Sequence, residues 1–305
     1  MNEIQQIQIS AHGAELMSLV ADGHEYLWHG DEKFWSRRAP ILFPIVGRLA
    51  EDTLRVNGAA SQMKQHGFAR DTEFVPTCTP AASDGTGILT LRPSDEPVCL
   101  QMVQNAPISN YPYPFQLNAS YAISGNKLNV KWEVANFGKE LMYFQIGAHP
   151  AFMLPAYSTK DAIHGYLRCS NQEGHVMLPV TSSRLVNGLR HETDSKILSN
   201  KQGLVPITDK TFANDAILLE CGNISDITLL DKNGHEVLKV SCPQADAFGI
   251  WAPDKPGCPF VCIEPWCGIA DPHDFQGDIS ERDCIHELEP DDRFVFEYTI
   301  SISND

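Results

Sequence analysis

Apolar and polar residues alternate along several stretches of the chain. Residues 115–123 carry an apolar side chain at every second position, and residues 128–134 repeat the pattern after the turn-forming triplet Ser124-Gly125-Asn126. Alternation with period two is typical of a strand with one buried face, and a Gly/Asn turn between two such runs favours an antiparallel hairpin. The pattern therefore predicts a hairpin over these residues.

The same pattern recurs elsewhere. A second hairpin is predicted over residues 227–240, a strand over residues 294–302, and a turn over residues 21–24. Helical periodicity is scarce, and only single helical turns are expected, around Asp31–Trp35 and Asp209–Phe212. Many hairpins without an alternation of strands and helices indicate an all-β protein, built as a large antiparallel β-sandwich.

The chain has 305 residues, with 20 prolines and 21 glycines to supply turns. It shows neither a repeat nor a break in composition of the kind that marks a linker, so we expect one domain over residues 1–305. The beginning, MNEIQQIQIS, lacks the basic and apolar regions of a secretory signal, and no apolar run is long enough to cross a bilayer. We therefore expect a cytoplasmic protein.

The formal net charge is −16, and Lys and Arg form no cluster larger than Arg37-Arg38. Phosphate backbones and anionic lipids attract basic surfaces, so the composition argues against nucleic-acid and membrane partners. It is compatible with a neutral small-molecule substrate as the partner. For the assembly we expect a monomer or a homodimer.

Nine cysteines are present, an odd number in a long chain without an export signal, which favours reduced thiols over disulfides. Several lie near the C-terminus together with a histidine: Cys258, Cys262, Cys267, Cys284 and His286. Their irregular spacing differs from the paired CxxC pattern of structural zinc sites. Phosphate-binding, dinucleotide-binding and metalloprotease motifs are also missing from the sequence, so we expect no metal and no cofactor.

Three segments interrupt the alternating pattern with polar side chains that are candidates for catalysis or binding. In the first, Arg48 directly follows Gly47, and His66 precedes Gly67. Glycine lets the backbone turn sharply or approach a ligand, so both side chains are candidates for holding sugar hydroxyls. A surface or core-packed structural role is the alternative for each of them on residue type alone.

The second segment, Gly147-Ala-His149-Pro150, ends a predicted strand at a histidine whose ordinary pKa of about 6.5 suits proton transfer. In the third, Glu264 lies in an apolar run before Trp266, where a carboxylate is expensive to bury unless it is paired or used. A buried structural imidazole and a carboxylate at a strand end are the alternatives. Asp215, before another apolar run, could reach the mouth of a pocket.

These segments resemble the aldose 1-epimerase (galactose mutarotase-like) family, and within it the LacX-like branch. Five pieces of sequence occur in the family's order between about residues 38 and 268: APILFPIVGRL, QHGFARD, FQIGAHPAF, FANDAILLE and CIEPWCG. The resemblance implies an antiparallel β-sandwich that binds a sugar in an open cleft. It further implies Glu264 as general base, His149 as general acid, and Arg48, His66 and Asp215 as sugar-binding residues.

The activity implied is interconversion of the α and β anomers of a free hexose, which needs neither metal nor cofactor. Three alternatives stay open. A hexose-6-phosphate mutarotase would need cations for the phosphate. Four arginines lie in or next to the first two of the five pieces: Arg37, Arg38, Arg48 and Arg70. A glycosidase would need two carboxyls, such as Glu264 and Asp215, about 5–10 Å apart. A non-catalytic sugar-binding domain would use the same cleft.

Overall fold

The computed structural model describes residues 2–78, 86–106, 110–177, 180–220 and 224–304, without the side chains of 181, 184 and 192–196. Within these ranges the chain forms short 3₁₀ turns at Ala50–Asp52, Ala69–Asp71 and Ile279–Glu281. All other regular elements are strands: β1 (Ile4–Ser10), β2 (Leu16–Ala21), β3 (His24–Glu25), β4 (Ile41–Leu42), β5 (Thr53–Val56), β6 (Ala59–Gln62), β7 (Val75–Pro76), β8 (Ile88–Leu91), β9 (Val98–Gln104), β10 (Phe115–Ser124), β11 (Lys127–Asn136), β12 (Met142–Phe144), β13 (Ile146–Ala148), β14 (Ala151–Met153), β15 (Gly165–Ser170), β16 (Thr181–Val186), β17 (Leu189–Ile197), β18 (Leu204–Ile207), β19 (Ile217–Glu220), β20 (Asp226–Leu230), β21 (Glu236–Ser241), β22 (Ala247–Trp251), β23 (Phe260–Cys267), β24 (His286–Leu288) and β25 (Arg293–Ile302).

Two large antiparallel sheets dominate the molecule. The first has the strand order β18-β15-β20-β21-β25-β11-β10-β9-β7. The second has the order β17-β16-β19-β22-β23-β13-β4, and β14 also pairs with β23. Smaller sheets are formed by β3-β2-β1-β8, by β12-β24 and by β5-β6. This arrangement confirms the all-β fold predicted from the alternating pattern.

The predicted hairpins are present at the expected positions. β10 and β11 pair from Phe115↔Asn136 to Ser124↔Lys127, and β20 pairs with β21 across the turn at residues 231–235. β25 is the predicted C-terminal strand and lies between β11 and β21. Around Asp31 and Asp209 the chain forms hydrogen-bonded turns and no regular helix.

One apolar core connects the sheets. The inward-facing residues of the first sheet, such as Trp132 and Phe296, are buried and stack with their ring centroids 5.3 Å apart. Val261 and Ile263 of β23 belong to the same core, whereas Cys262 packs in a separate cluster with Trp28. Side chains of successive strand residues point to opposite faces, so Glu264 lies on the face of β23 that the main core does not occupy. Over the described ranges no helix is long and apolar enough to cross a membrane.

Candidate active site

His149 and Glu264 are brought together by strand register. β13 and β14 both pair with β23, through Gly147↔Trp266 and Ala151↔Cys262, and His149 occupies the short break between them. The same register carried across the break places His149 opposite Glu264. Pro150 ends the pairing of β13 because it has no N–H to donate, and its carbonyl accepts a hydrogen bond from Ile263 N–H at 3.1 Å.

The two side chains are in direct contact in a buried position. His149 Nε2 lies 3.2 Å from Glu264 Oε1, and the residues are 6% and 1% exposed. Burial disfavours charge on both groups. It raises the pKa of Glu264 well above its ordinary value, against the lowering effect of the Trp266 indole, and lowers the pKa of His149 to about 3. Both shifts favour the uncharged forms of the two groups, in which the pair carries a single proton.

His66 is fixed by the backbone of Gly47. The backbone N–H of His66 donates to Gly47 O at 2.8 Å, and the ring Nδ1 of His66 accepts from the backbone N–H of Gly47 at 3.1 Å. Because Nδ1 accepts, the ring proton of the neutral imidazole lies on Nε2, where it can be donated. Burial, and then the nearby His149, lower the pKa of His66 well below its ordinary value. His66 is thus a neutral hydrogen-bond donor next to the His149 ring, with ring centroids 5.4 Å apart.

Arg48 lines the same cavity but is already engaged. Its Nε and one terminal nitrogen donate to the two carboxylate oxygens of Asp52, each at 2.8 Å, and the other terminal nitrogen donates to Asn187 O at 3.2 Å. This fork holds the guanidinium in one orientation and offsets its charge. Gly47 also lines the cavity and packs closely on Ala270, since an added Cβ would lie 2.5 Å from the Ala270 side chain.

Asp215 also lies on the cavity wall, with an unusual backbone φ of 108°. Its carboxylate oxygens accept from the backbone N–H groups of Gly188 and Ala216, both at 2.7 Å. These bonds tie the loop at residues 187–188 to the start of β19. The structure therefore brings all five predicted site residues to one cavity, and gives Arg48 and Asp215 partners that fix them in place.

The cavity has a volume of about 690 Å³, within the range of small-molecule sites. Two tryptophans that sequence reasoning did not select form its aromatic wall. Trp35 lies over the His149 imidazole with ring centroids 4.9 Å apart, and Trp251 meets the same ring edge-on at 5.8 Å. Trp251 ends β22 and Trp35 lies in an irregular loop, so neither stands out in the alternating pattern. Aromatic faces pack well against the C–H surface of a sugar.

Arg70 is a further cavity residue, which the sequence suggested only as a possible phosphate ligand. Its Nε is buried and makes no hydrogen bond within the described chain, while one terminal nitrogen donates to Gln65 O at 2.5 Å. Burial, and then Arg37, lower the pKa of Arg70 to about 10, so it stays positively charged at neutral pH. Its charge in turn contributes to the lowered pKa of His149.

The C-terminal cysteines do not converge on one site. Cys262 lies with His149 and Glu264, and Cys267 lies with Asp246 and His286, so that each set has its ligand atoms within 4.8 Å of one another. Cys258 and Cys284 belong to neither set. No disulfide joins the eight cysteines in the described ranges.

Fold and site together define a class: an antiparallel β-protein with a buried histidine–carboxylate pair at the floor of an open, tryptophan-lined cavity. Comparison with known families makes this specific. Residues 2–300 match the aldose 1-epimerase family, and the chain belongs to that family.

Individual relatives agree. The chromosomal LacX protein of Lactococcus lactis subsp. lactis is 26% identical over 310 residues, covering 99% of this chain and 98% of LacX. A galactose mutarotase related enzyme from Lactobacillus acidophilus has a TM-score of 0.85 at 27% identity, covering 100% of this chain and 96% of its own. A galactose mutarotase-like protein from Lactobacillus casei ATCC 334 has a TM-score of 0.85 at 25% identity, and the match covers 99% of this chain and 98% of that protein. These comparisons confirm the predicted family and its β-sandwich fold.

Proposed function

We propose that this protein is an aldose 1-epimerase that interconverts the α and β anomers of a free hexose by acid–base catalysis. The observation that carries the proposal is the contact between His149 Nε2 and Glu264 Oε1, 3.2 Å long, at the floor of the cavity. Mutarotation needs one group to remove a proton and another to deliver one, and a one-proton pair provides both. Membership of the aldose 1-epimerase family supports the same reaction.

In the proposed mechanism Glu264 accepts the proton of the C1 hydroxyl while His149 donates a proton to the ring oxygen. The C1–O5 bond breaks and leaves an open-chain aldehyde. Rotation about C1–C2 presents the other carbonyl face to the C5 hydroxyl, and ring closure returns both protons. Each well-placed acid or base contributes roughly 10²–10⁴-fold to such a reaction.

The proton of the pair must lie on His149 when the ring opens. In the buried pair without sugar, the neutral form is favoured because burial disfavours both charges. Glu264 Oε2 and Trp266 Nε1 are buried, and neither completes a hydrogen bond within the described residues. Sugar hydroxyls that enter the pair can hydrogen-bond the carboxylate and the imidazolium, and so stabilise the ionic form. The neutral His66, the oriented Arg48 and Asp215 then hold the remaining hydroxyls.

The test is polarimetry with freshly dissolved α-glucose or α-galactose. Wild-type protein is expected to accelerate mutarotation, Glu264→Gln to abolish the acceleration, and His149→Asn to lower kcat by roughly 10²–10⁴-fold. His164→Asn is a matched control, because His164 is equally buried but pairs with Asp209 outside this cavity. Wild-type activity in both site variants would refute the mechanism. An inactive wild-type protein that still binds sugars would indicate a non-catalytic sugar-binding domain.

A second candidate substrate is a hexose 6-phosphate, favoured by the positive charge and unpaired buried Nε of Arg70. Of the other arginines near the site, Arg37 pairs with Asp71 and Arg48 with Asp52. Lys255 also lines the cavity, but its ammonium donates to the backbone carbonyls of Lys33 and Phe34. Because Arg70 is the one described cation of the cavity lining with a buried donor that makes no hydrogen bond, we favour the free sugar. The same assay with glucose 6-phosphate decides between them, because a phosphate-specific enzyme would have the higher kcat/KM for the ester and would lose that preference in Arg70→Gln.

A further inference from the structure

A second cluster of chemically reactive groups lies on the other face of β23. Cys267 ends this strand, Asp246 precedes β22, and His286 begins β24. Their thiol, carboxylate and imidazole atoms lie within 4.8 Å of one another. We propose that Asp246, Cys267 and His286 form a binding site for a borderline-soft divalent cation of the zinc class.

The geometry is close to that of a bound ion. Asp246 Oδ2 and His286 Nε2 are 3.5 Å apart. Tetrahedral zinc, with bonds of about 2.0–2.3 Å, places its ligand atoms roughly 3.3–3.8 Å from one another. The carboxylate and imidazole are therefore already at the required separation, and the Cys267 side chain needs a shift of no more than about 1 Å.

Two of the three ligand atoms face each other and have no hydrogen-bond partner among the described residues. Asp246 Oδ2 and His286 Nε2 are buried, and in the described part of the chain neither makes a hydrogen bond. Buried polar atoms without hydrogen bonds are costly, and a cation would satisfy both. Cys267 donates its thiol proton to Gln244 O at 3.1 Å. Metal binding replaces this proton, so that one proton leaves the thiol for each ion bound.

The ligand residues are held in place by neighbouring backbone and rings, and they lie near the surface. The backbone N–H of Asp246 donates to Trp266 O at 2.7 Å, and the ring of His286 packs between Phe144 and Phe294 with centroids 5.7 and 4.6 Å away. Cys267 is fully buried, but the side chains of His286 and Asp246 are 25% and 33% exposed. The ligand atoms themselves are buried, but two of the three side chains reach the surface, so that an ion needs only a local side-chain movement to enter.

The donor set selects the kind of ion. Magnesium and calcium are bound by oxygen ligands, whereas thiolate with imidazole favours zinc and its spectroscopic substitute cobalt. The spacing of the cysteines along the sequence did not reveal this site, because Asp246 lies about 20 residues before Cys267, just ahead of the neighbouring strand β22. The site is distinct from the sugar cavity, since its residues are absent from the cavity lining.

The test is titration of the whole protein with Co²⁺, followed by the thiolate-to-cobalt absorption band and by the visible bands of a tetrahedral ion, with Zn²⁺ as competitor. One Co²⁺ is expected to bind with a thiolate band. His286→Gln and Asp246→Asn are expected to weaken binding by at least the roughly 10–100-fold that loss of even an outer-sphere partner costs. Cys267→Ser is expected to remove the band.

Cys262→Ser is the matched control, because Cys262 is an equally buried cysteine of β23 that lies beside His149 and Glu264. It is expected to leave the thiolate band intact. A band that disappears in Cys262→Ser and persists in Cys267→Ser would place the ion beside His149 and Glu264 and overturn the proposal. So would a wild-type protein without the band. The partly exposed His286 makes His286→Gln informative even if Cys267→Ser fails to fold, which circular dichroism would reveal.

Discussion

The chemistry of each site residue depends on its immediate surroundings. His66 and His149 are both buried histidines, but the backbone of Gly47 fixes the tautomer of His66, whereas His149 contacts a carboxylate. The first therefore acts as a hydrogen-bond donor with a fixed proton, and the second can exchange a proton with its neighbour. Residue type alone does not separate these roles.

The lowered pKa of His149 and the raised pKa of Glu264 predict the pH dependence of the reaction. The pair acquires a second proton, and loses its base, only as pH falls through the lowered pKa of about 3. It loses its only proton as pH rises through the raised pKa of Glu264. We therefore expect kcat/KM not to decline as pH falls through the ordinary histidine pKa of about 6.5.

Polarimetric rates between about pH 4 and about pH 9, extrapolated to zero buffer concentration, test this expectation. The spontaneous rate is subtracted, and His149→Asn serves as the control that lacks the titrating pair. An acid limb centred near 6.5 would mean that His149 titrates like an exposed imidazole, and the buried-pair description would then be wrong.

At the scale of elements, the site depends on how β23 is flanked. The break between β13 and β14 places His149 on one side of Glu264, and β22 places Gly249 directly opposite it on the other. Gly249 leaves room for the indole of Trp266, because an added Cβ would lie 2.7 Å from Trp266 Cζ2. Because Gly249 has no side chain, the indole of Trp266 can pack against β22 and line the cavity there.

Gly249→Ala is expected to displace Trp266 and disturb the surroundings of Glu264. Overpacking of this kind costs about 1–3 kcal/mol of stability, and misplacement of a catalytic environment lowers kcat/KM on the order of tenfold to a hundredfold. Denaturant unfolding and polarimetry measure the two effects. Gly165→Ala is the control: its Cβ would lie 2.7 Å from Leu230 O in the other large sheet, so it should reduce stability without changing the kcat/KM of folded protein.

Sequence patterns predicted these elements unequally well. Hairpins such as β10–β11 were predictable because two alternating runs adjacent in sequence pair with each other. The pairing of β13 and β14 with β23 was not, because it joins short strands more than 100 residues apart. Trp35 and Trp251 were missed for the same reason: they reach the cavity through contacts between segments distant in sequence.

For the whole molecule, the site makes stability depend on pH. His66 and His149 have lowered pKa values in the folded state, so below about pH 6.5 the unfolded chain binds protons that the folded protein does not. Their contribution to stability falls as pH decreases. Glu264 has a raised pKa and acts in the opposite direction, because above about pH 4.5 the folded protein keeps a proton that the unfolded chain releases.

The lowered pKa values of the two histidines outweigh the opposing effect of the one carboxyl between about pH 4.5 and 6.5, so we expect the free energy of unfolding to rise with pH there. A full proton of difference corresponds to about 1.4 kcal/mol per pH unit. Glu264→Gln should steepen the slope, since it removes the opposing group. His66→Asn should flatten it, and asparagine tolerates the φ of 66° at this position. Urea unfolding at several pH values measures the slopes, and equal slopes in all three proteins would contradict the assigned protonation states.

The sequence by itself determined the all-β fold class and its long hairpins, because both follow from patterns local to the chain. Through five motifs it also determined the family, and it supplied five residues that the structure brings to one cavity. Tertiary structure alone decided which of these touch, how Gly47 orients His66, and that Asp246, Cys267 and His286 converge behind β23. The physical reason is that contacts between distant strands depend on register and burial, and these are properties of the packed sheets.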